Sequence, residues 1–260
     1  MIKRFLTDFR KYFSFSVVSA KSQLKTEVAS SYLNWIWWIL DPLCFMLIYT
    51  YIFGYVFKAK EDYFPVFIFV GLSMWNFFNQ TLKSSVKIVK RNKSVVSRVY
   101  FPKYILVISE LWADAFKMMI SFGIVALMMV FFKVPVSWNM LYFFPIILTL
   151  MLFTFGCSCF VMHFGVYVED LSNVINIVLR FLFYLTGIFY NVKTKIPDAG
   201  PYLNEFNPLA SLISAMRDCL IYCRRPDLRF VGLWFGVSLL LSVCGIALVY
   251  KEENSYLKAV

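Results

Sequence analysis

Four ionisable side chains stand inside apolar runs of this 260-residue chain: Glu110, Asp114 and Lys117 at helical spacing in one, and Arg180 in another. A charge at the centre of a bilayer costs about 2.5–3.5 kcal/mol on insertion scales, so such groups are paired or put to use. Arg180 precedes Tyr190 by about 15 Å of helix, which sets it near the middle of its run. It either pairs with Glu110 or Asp114, locking two helices together, or faces a polar path. Covalent and metal chemistry are poorly supplied. His163 is the single histidine and sits alone on an apolar stretch, and none of the six cysteines forms a C-x-x-C pair, so no metal site is expected. Cys219 and Cys223, four apart on one helix, are badly placed for a disulfide. No G-x-x-x-x-G-K-[ST] loop is present, so this chain does not hold ATP in that manner. Glu169 and Asp170 fall at a turn, where they suit the positive N-terminal end of the next helix.

The elements that must position these groups are membrane helices. The chain is 60% hydrophobic and 20% aromatic, with mean hydropathy +0.69 and repeated runs of about twenty uncharged residues. The expected fold is all-α, an integral membrane protein with six transmembrane helices. They lie at about 35–57, 64–82, 104–132, 140–168, 174–190 and 231–250, within a membrane domain of residues 31–253. The first run holds one charge, Asp41, and carries Trp35, Trp37 and Trp38 at one end and Tyr51, Tyr55 and Phe57 at the other. Aromatic rings with polar edges favour the headgroup zones, and Pro42 is expected to kink or loosen this helix. In residues 1–30, Ile2, Phe5, Leu6, Phe9, Tyr12 and Phe13 recur at helical spacing opposite Lys3, Arg4, Arg10 and Lys11. That makes an amphipathic helix suited to a membrane interface or to a partner protein, not a secretion signal. Within the polar segment 191–227, the apolar run from Asn207 to Cys223 is interrupted by Arg217 and Asp218 and is too short to cross, so a re-entrant or interfacial helix is expected there. Residues 254–260 form a tail.

Net charge is +11, and its distribution reads as orientation. Loop 83–103 carries Lys83, Lys87, Lys90, Arg91, Lys93, Arg98 and Lys103 with no acid. The opposite side holds Lys58, Lys60 and Lys133, with Lys193, Lys195, Arg217, Arg224 and Arg225 offset by acids. Both termini are therefore expected in the cytoplasm. Basic residues flank the spans instead of interleaving with stacking aromatics on a soluble face, which argues against nucleic acid.

Leu33-Asn34-Trp35-Ile36-Trp37, then Pro42 and Phe53-Gly54, resembles the first-span signature of ABC-2-type export permeases. The subgroup moving lipid-linked polysaccharides (O-antigen, capsule, teichoic acid) is the most similar. Phe101-Pro102 ahead of Ile108-Ser109-Glu110-Leu111, the run from Leu179 to Tyr190, and Asn207-Pro208 with Arg217 agree with it in order along nearly the whole chain. The likeness departs at Asn34, Gly187 and Glu169, where the family commonly has glycine, proline and arginine. The resemblance implies a transport subunit, not an enzyme, in the bacterial cytoplasmic membrane. It would form a homodimer among membrane lipids and bind two copies of a separate ATPase, which holds the ATP and Mg. No cofactor would be bound by this chain itself.

The same resemblance implies that loop 83–103 is a coupling helix. Lys87, Lys90, Arg91 and Arg98 would face the ATPase while Val86, Val89, Val96 and Val99 pin the helix to the membrane. The plainer alternative is a basic loop drawn to anionic lipid. For the substrate, the resemblance points to Trp35, Trp38, Tyr49, Phe181, Tyr184 and Tyr190, whose rings would stack on sugar C–H faces, with Arg180 meeting the pyrophosphate. The alternative is interfacial anchoring and helix packing. Segment 191–227 would be an external gate, or else an ordinary loop. Rival readings are an exporter of a small drug or lipid, a membrane-embedded glycosyl- or acyltransferase, for which no acid–base constellation is evident, and a passive channel.

Overall fold

The computed structural model describes residues 2–29, 32–57, 61–192, 200–253 and 255–256. Lys58, Lys60, Lys193, Lys195, Pro197 and Lys258 lie outside the described residues. Every regular element among the described residues is helical. Helix α1 (Ile2–Ala29) leads through a 3₁₀ turn (Asn34–Ile36) into α2 (Trp37–Tyr49), which widens into a π-helical stretch (Thr50–Val56). Then come α3 (Phe64–Val86), the single-turn helices α4 (Ile88–Arg91) and α5 (Lys93–Val96), and α6 (Tyr104–Phe131). A 3₁₀ turn (Trp138–Tyr142) opens α7 (Phe143–Tyr167), followed by α8 (Leu171–Leu185), α9 (Gly200–Phe206), α10 (Pro208–Leu220) and α11 (Leu228–Lys251).

Pro42 does not break α2. It stands in the second turn and removes one early hydrogen bond, and the departure from α geometry comes later, at Thr50–Val56. The fifth run is helical over Leu171–Leu185, earlier than the expected 174–190, because Gly187 turns the chain at φ 68. Loop 83–103 holds two single turns, with α3 extending to Val86 ahead of them. Asn207 caps α10 by accepting from the N–H groups of Leu209 and Ala210, and Pro208 follows it at the first helical position.

Helix α3 is the centre of the bundle. From Phe64 to Trp75 every residue but Pro65 is buried, so it is covered on all sides, by α6, α7, α2, α8 and α10. Helices α7 and α11 form the tightest pair. The Ser242 hydroxyl donates to the Leu152 carbonyl at 2.9 Å, and Gly245 lies where a Cβ would stand 2.8 Å from Cys159 Cβ. Small residues let the backbones meet where burying apolar surface supplies little drive between helices in lipid. Helix α1 lies along α6, its stripe of Phe5, Phe9, Tyr12, Ser16 and Ala20 turned inward, with Phe5 on Tyr104 and Phe13 on Trp112.

Four segments are long and apolar enough to cross a membrane: Trp37–Val56, Tyr104–Phe131, Trp138–Tyr167 and Leu228–Lys251. Helix α3 has the length, but Asn76, Asn79 and Gln80 dilute its second half, and α8 is a shorter apolar helix of 15 residues. The start of α1 meets the end of α11. The Tyr250 hydroxyl donates to Asp8 at 2.7 Å, Arg4 lies over the Tyr250 ring and 3.5 Å from Glu253, and Tyr100 donates to Glu253.

Candidate functional site

A cleft of about 540 Å³ opens between α2, α3 and α6, with the end of α1 below it and Phe183 of α8 beside it. Trp37, Trp38, Phe45 and Tyr49 supply its α2 wall. Trp38 meets Phe116 edge-on, while Tyr49 packs on Phe189 and Phe183 with centroids 4.5 and 6.4 Å away. Asn76 and Gln80, one turn apart on α3, are exposed toward the cleft with Asn79 beside them. On α6, Asp114 is buried and accepts from the Thr81 hydroxyl at 2.9 Å and from the Lys117 ammonium at 3.2 Å. Lys117 also reaches Glu27 of α1 at 2.7 Å. The structure thus brings together Trp38, Tyr49, Asp114 and Lys117, which the sequence placed in separate roles, and adds Glu27, Asn76 and Gln80. The only signal for the two amides was their position late in an apolar run.

Arg180 pairs with neither Glu110 nor Asp114. It is exposed on α8 without an ion pair among the described residues, because both acids are already engaged. Phe181 and Tyr184 share its exposed surface. Tyr190 is half-buried and donates to the Tyr184 carbonyl, and Trp35 is exposed outside the cleft lining.

Glu110 stands apart from Asp114 and Lys117. Its buried carboxylate accepts from Arg91 of α4 at 2.7 Å and from Gln23 of α1 at 2.9 Å. Arg91 therefore directs its guanidinium into the chain, and Lys90 lies 3.4 Å from Glu169. Lys87 and Arg98 are exposed. Lys103 is buried, donating to the Phe101 carbonyl at 3.1 Å, and burial pushes its ammonium below the usual lysine range. Val86, Val89 and Val96 are buried, but Val99 is exposed, so the valine row is broken at its end. Asp170 occupies the N-cap of α8 without a cap hydrogen bond, and Glu169 turns to Lys90 instead.

Arg217 of α10 is a clamp; the sequence marks it as a charge in an apolar run and as part of the Asn207-Pro208 likeness. Fully enclosed, it donates to the carbonyls of Phe67, Gly187 and Ile188 at 3.2, 2.9 and 2.8 Å and stacks on the Phe67 ring at 3.4 Å. It joins α10 to α3 and to the chain leaving α8. Nearby, Tyr222 donates to Glu61 at 2.7 Å. Among the described residues no group of three His, Cys, Asp or Glu side chains is arranged to hold a metal. His163 instead bonds Tyr256 at 2.8 Å, fastening the C-terminal end to α7.

Several apolar helices around a polar cleft with enclosed charges define a multi-pass membrane transport protein. The chain belongs to the ABC-2 type transporter family, which matches residues 17–221. It is 24% identical over 245 residues to an O-antigen export system permease protein RfbA of Klebsiella pneumoniae, covering 94% of each chain. To RfbA of Myxococcus xanthus it is 22% identical over 99% of each chain. To the polysialic acid transport protein KpsM of Escherichia coli it is 23% identical, over 90% of this chain and 92% of that one. Its family makes it a transporter permease.

Proposed function

We propose that the chain is the permease subunit of an ATP-driven exporter that moves a lipid-linked cell-surface polysaccharide across the cytoplasmic membrane. The observation that carries this reading is the cleft itself. Aromatic faces from α2 stand opposite amides and carboxylates from α3 and α6 at membrane depth, which suits sugar rings with their apolar faces and hydroxyl edges. The relatives' names, which speak of O-antigen export and polysialic acid transport, support the substrate class. We count α3 and α8 as spans, giving six, with both termini cytoplasmic and 191–227 as an external gate.

Two copies pair through the sparsely covered surfaces of α2 and α8. Only 11% of the Trp37–Val56 window is buried within one chain, and Ile177, Phe181 and Tyr184 are exposed on α8. The ATPase docks beneath, on loop 83–103, where Lys87 and Arg98 are open to it. Lys90 and Arg91 relay its motion through Glu169 and Glu110. The experiment is to purify the chain with its co-expressed ATPase and measure ATP hydrolysis in nanodiscs. Stimulation by lipid-linked glycan supports the reading. Transport by the isolated chain, with no ATPase associating, removes it. The rival of a drug or lipid exporter predicts stimulation by small amphiphiles and none by glycan.

A further inference from the structure

The cleft's charge is unbalanced. Among the described residues lining it are three carboxylates, Glu27, Asp41 and Asp114, and a single cation, Lys117. Lys117 is already shared between Glu27 and Asp114, at 2.7 and 3.2 Å. Asp41 is exposed and makes no ion pair among the described residues. No basic side chain in the lining is free to meet an anion. The next cations after Gln80 are Lys83, in the last turn of α3, and Lys87 at its C-cap, and neither is in the lining. The amides of Asn76, Asn79 and Gln80 line the cleft without hydrogen bonds inside the chain among the described residues. Unpartnered amides at membrane depth call for water or a hydroxyl-bearing ligand.

We infer that this cleft selects its cargo by charge: it accepts glycan segments that are uncharged or carry amines, and disfavours polyanionic ones. The inference rests on the export reading above and sharpens its substrate class. Trp37, Trp38 and Tyr49 offer the ring faces. The amides and carboxylates accept from sugar hydroxyls, and the surplus negative charge at Asp41 attracts an ammonium. A carboxylate or phosphodiester on each sugar would enter against that field. In the low dielectric of a membrane cleft, one uncompensated like charge is enough for roughly a tenfold penalty.

The test uses the full chain in nanodiscs of phosphatidylcholine, which carry no net charge, and three oligomers of similar length. These are maltohexaose (neutral), the chitosan hexamer (amine-bearing) and an α2,8-linked sialic acid hexamer (anionic). Binding is read from tryptophan fluorescence, and a W37F/W38F variant identifies the part of the signal that comes from the cleft. The expected order is chitosan hexamer tightest, maltohexaose next, and the sialic acid hexamer about tenfold or more weaker than maltohexaose. The Asp41→Asn change, on an exposed side chain, should narrow that gap severalfold by strengthening the sialic acid hexamer relative to maltohexaose. Sialic acid oligomers binding as well as maltohexaose would overturn the inference, and so would the absence of binding by all three. Export itself would then still stand or fall on glycan-stimulated ATP hydrolysis, which does not depend on the charge preference of the cleft.

Discussion

Replacing Arg217 by methionine tests whether α10 is held to the bundle by one guanidinium. The change keeps most of the side-chain volume and leaves the carbonyls of Phe67, Gly187 and Ile188 without their donor. Hydrogen bonds from a charged donor contribute about 1.5–3 kcal/mol each, so the gross loss over three is about 5–9 kcal/mol. Against this, removing the charge returns the several kcal/mol that its burial costs. The net destabilisation is expected at about 2–4 kcal/mol. Arg217→Lys keeps the charge but cannot fork to three acceptors, so it should fall between wild type and Arg217→Met. The assay is thermal unfolding of the three proteins in one detergent. If Arg217→Met melts with wild type, or Arg217→Lys melts below Arg217→Met, the clamp is not what holds α10 in place.

The ion pair of Arg91 and Glu110 should respond asymmetrically. Arg91→Gln strands a buried carboxylate and should cost about 2–3 kcal/mol, whereas Glu110→Gln frees a half-exposed guanidinium that water can solvate and should cost about 1 kcal/mol; equal losses in thermal melts would contradict this. Gly245→Val drives a side chain against Cys159 and should destabilise by about 1–3 kcal/mol, while Gly236→Val, in open space, should melt close to wild type. Asn207→Ala removes the α10 cap and should cost about 1 kcal/mol, read in the same melts. In a cysteine-free background, Ser255→Cys should react with a membrane-impermeant maleimide only after the cells are opened if the proposed six spans return the chain to the cytoplasm.

The sequence was a good guide wherever the deciding contacts were local. The apolar run from Tyr104, the Asn207-Pro208 start and the polar–apolar alternation of residues 1–30 each produced the expected helix, because capping, propensity and periodicity act within a few residues. It was weakest on pairing. Glu110 and Asp114 were rightly singled out as enclosed acids, yet Arg180 was offered as their partner when Arg91, Gln23, Lys117 and Thr81 held them. Nothing in the spacing could say that α1 returns to α6, so Glu27 was not associated with Lys117, 90 residues away. The resemblance has Arg91 facing a partner, while the acid that draws it inward lies on another element. The effect of Pro42 depends on how near the helix start it falls, which the run of apolar residues blurs.

The junction around Tyr250 also has a bearing on how the polypeptide is assembled. Asp8 precedes Tyr250 by 242 residues, so the opening turns of α1 have no fixed berth until α11 has been inserted. A truncated or stalled product would leave those turns unmoored, with a basic, aromatic flank bare to the surroundings. Such an end is the kind of signal that quality-control proteases can read. Closing that junction therefore ties the seating of α1 to the arrival of α11.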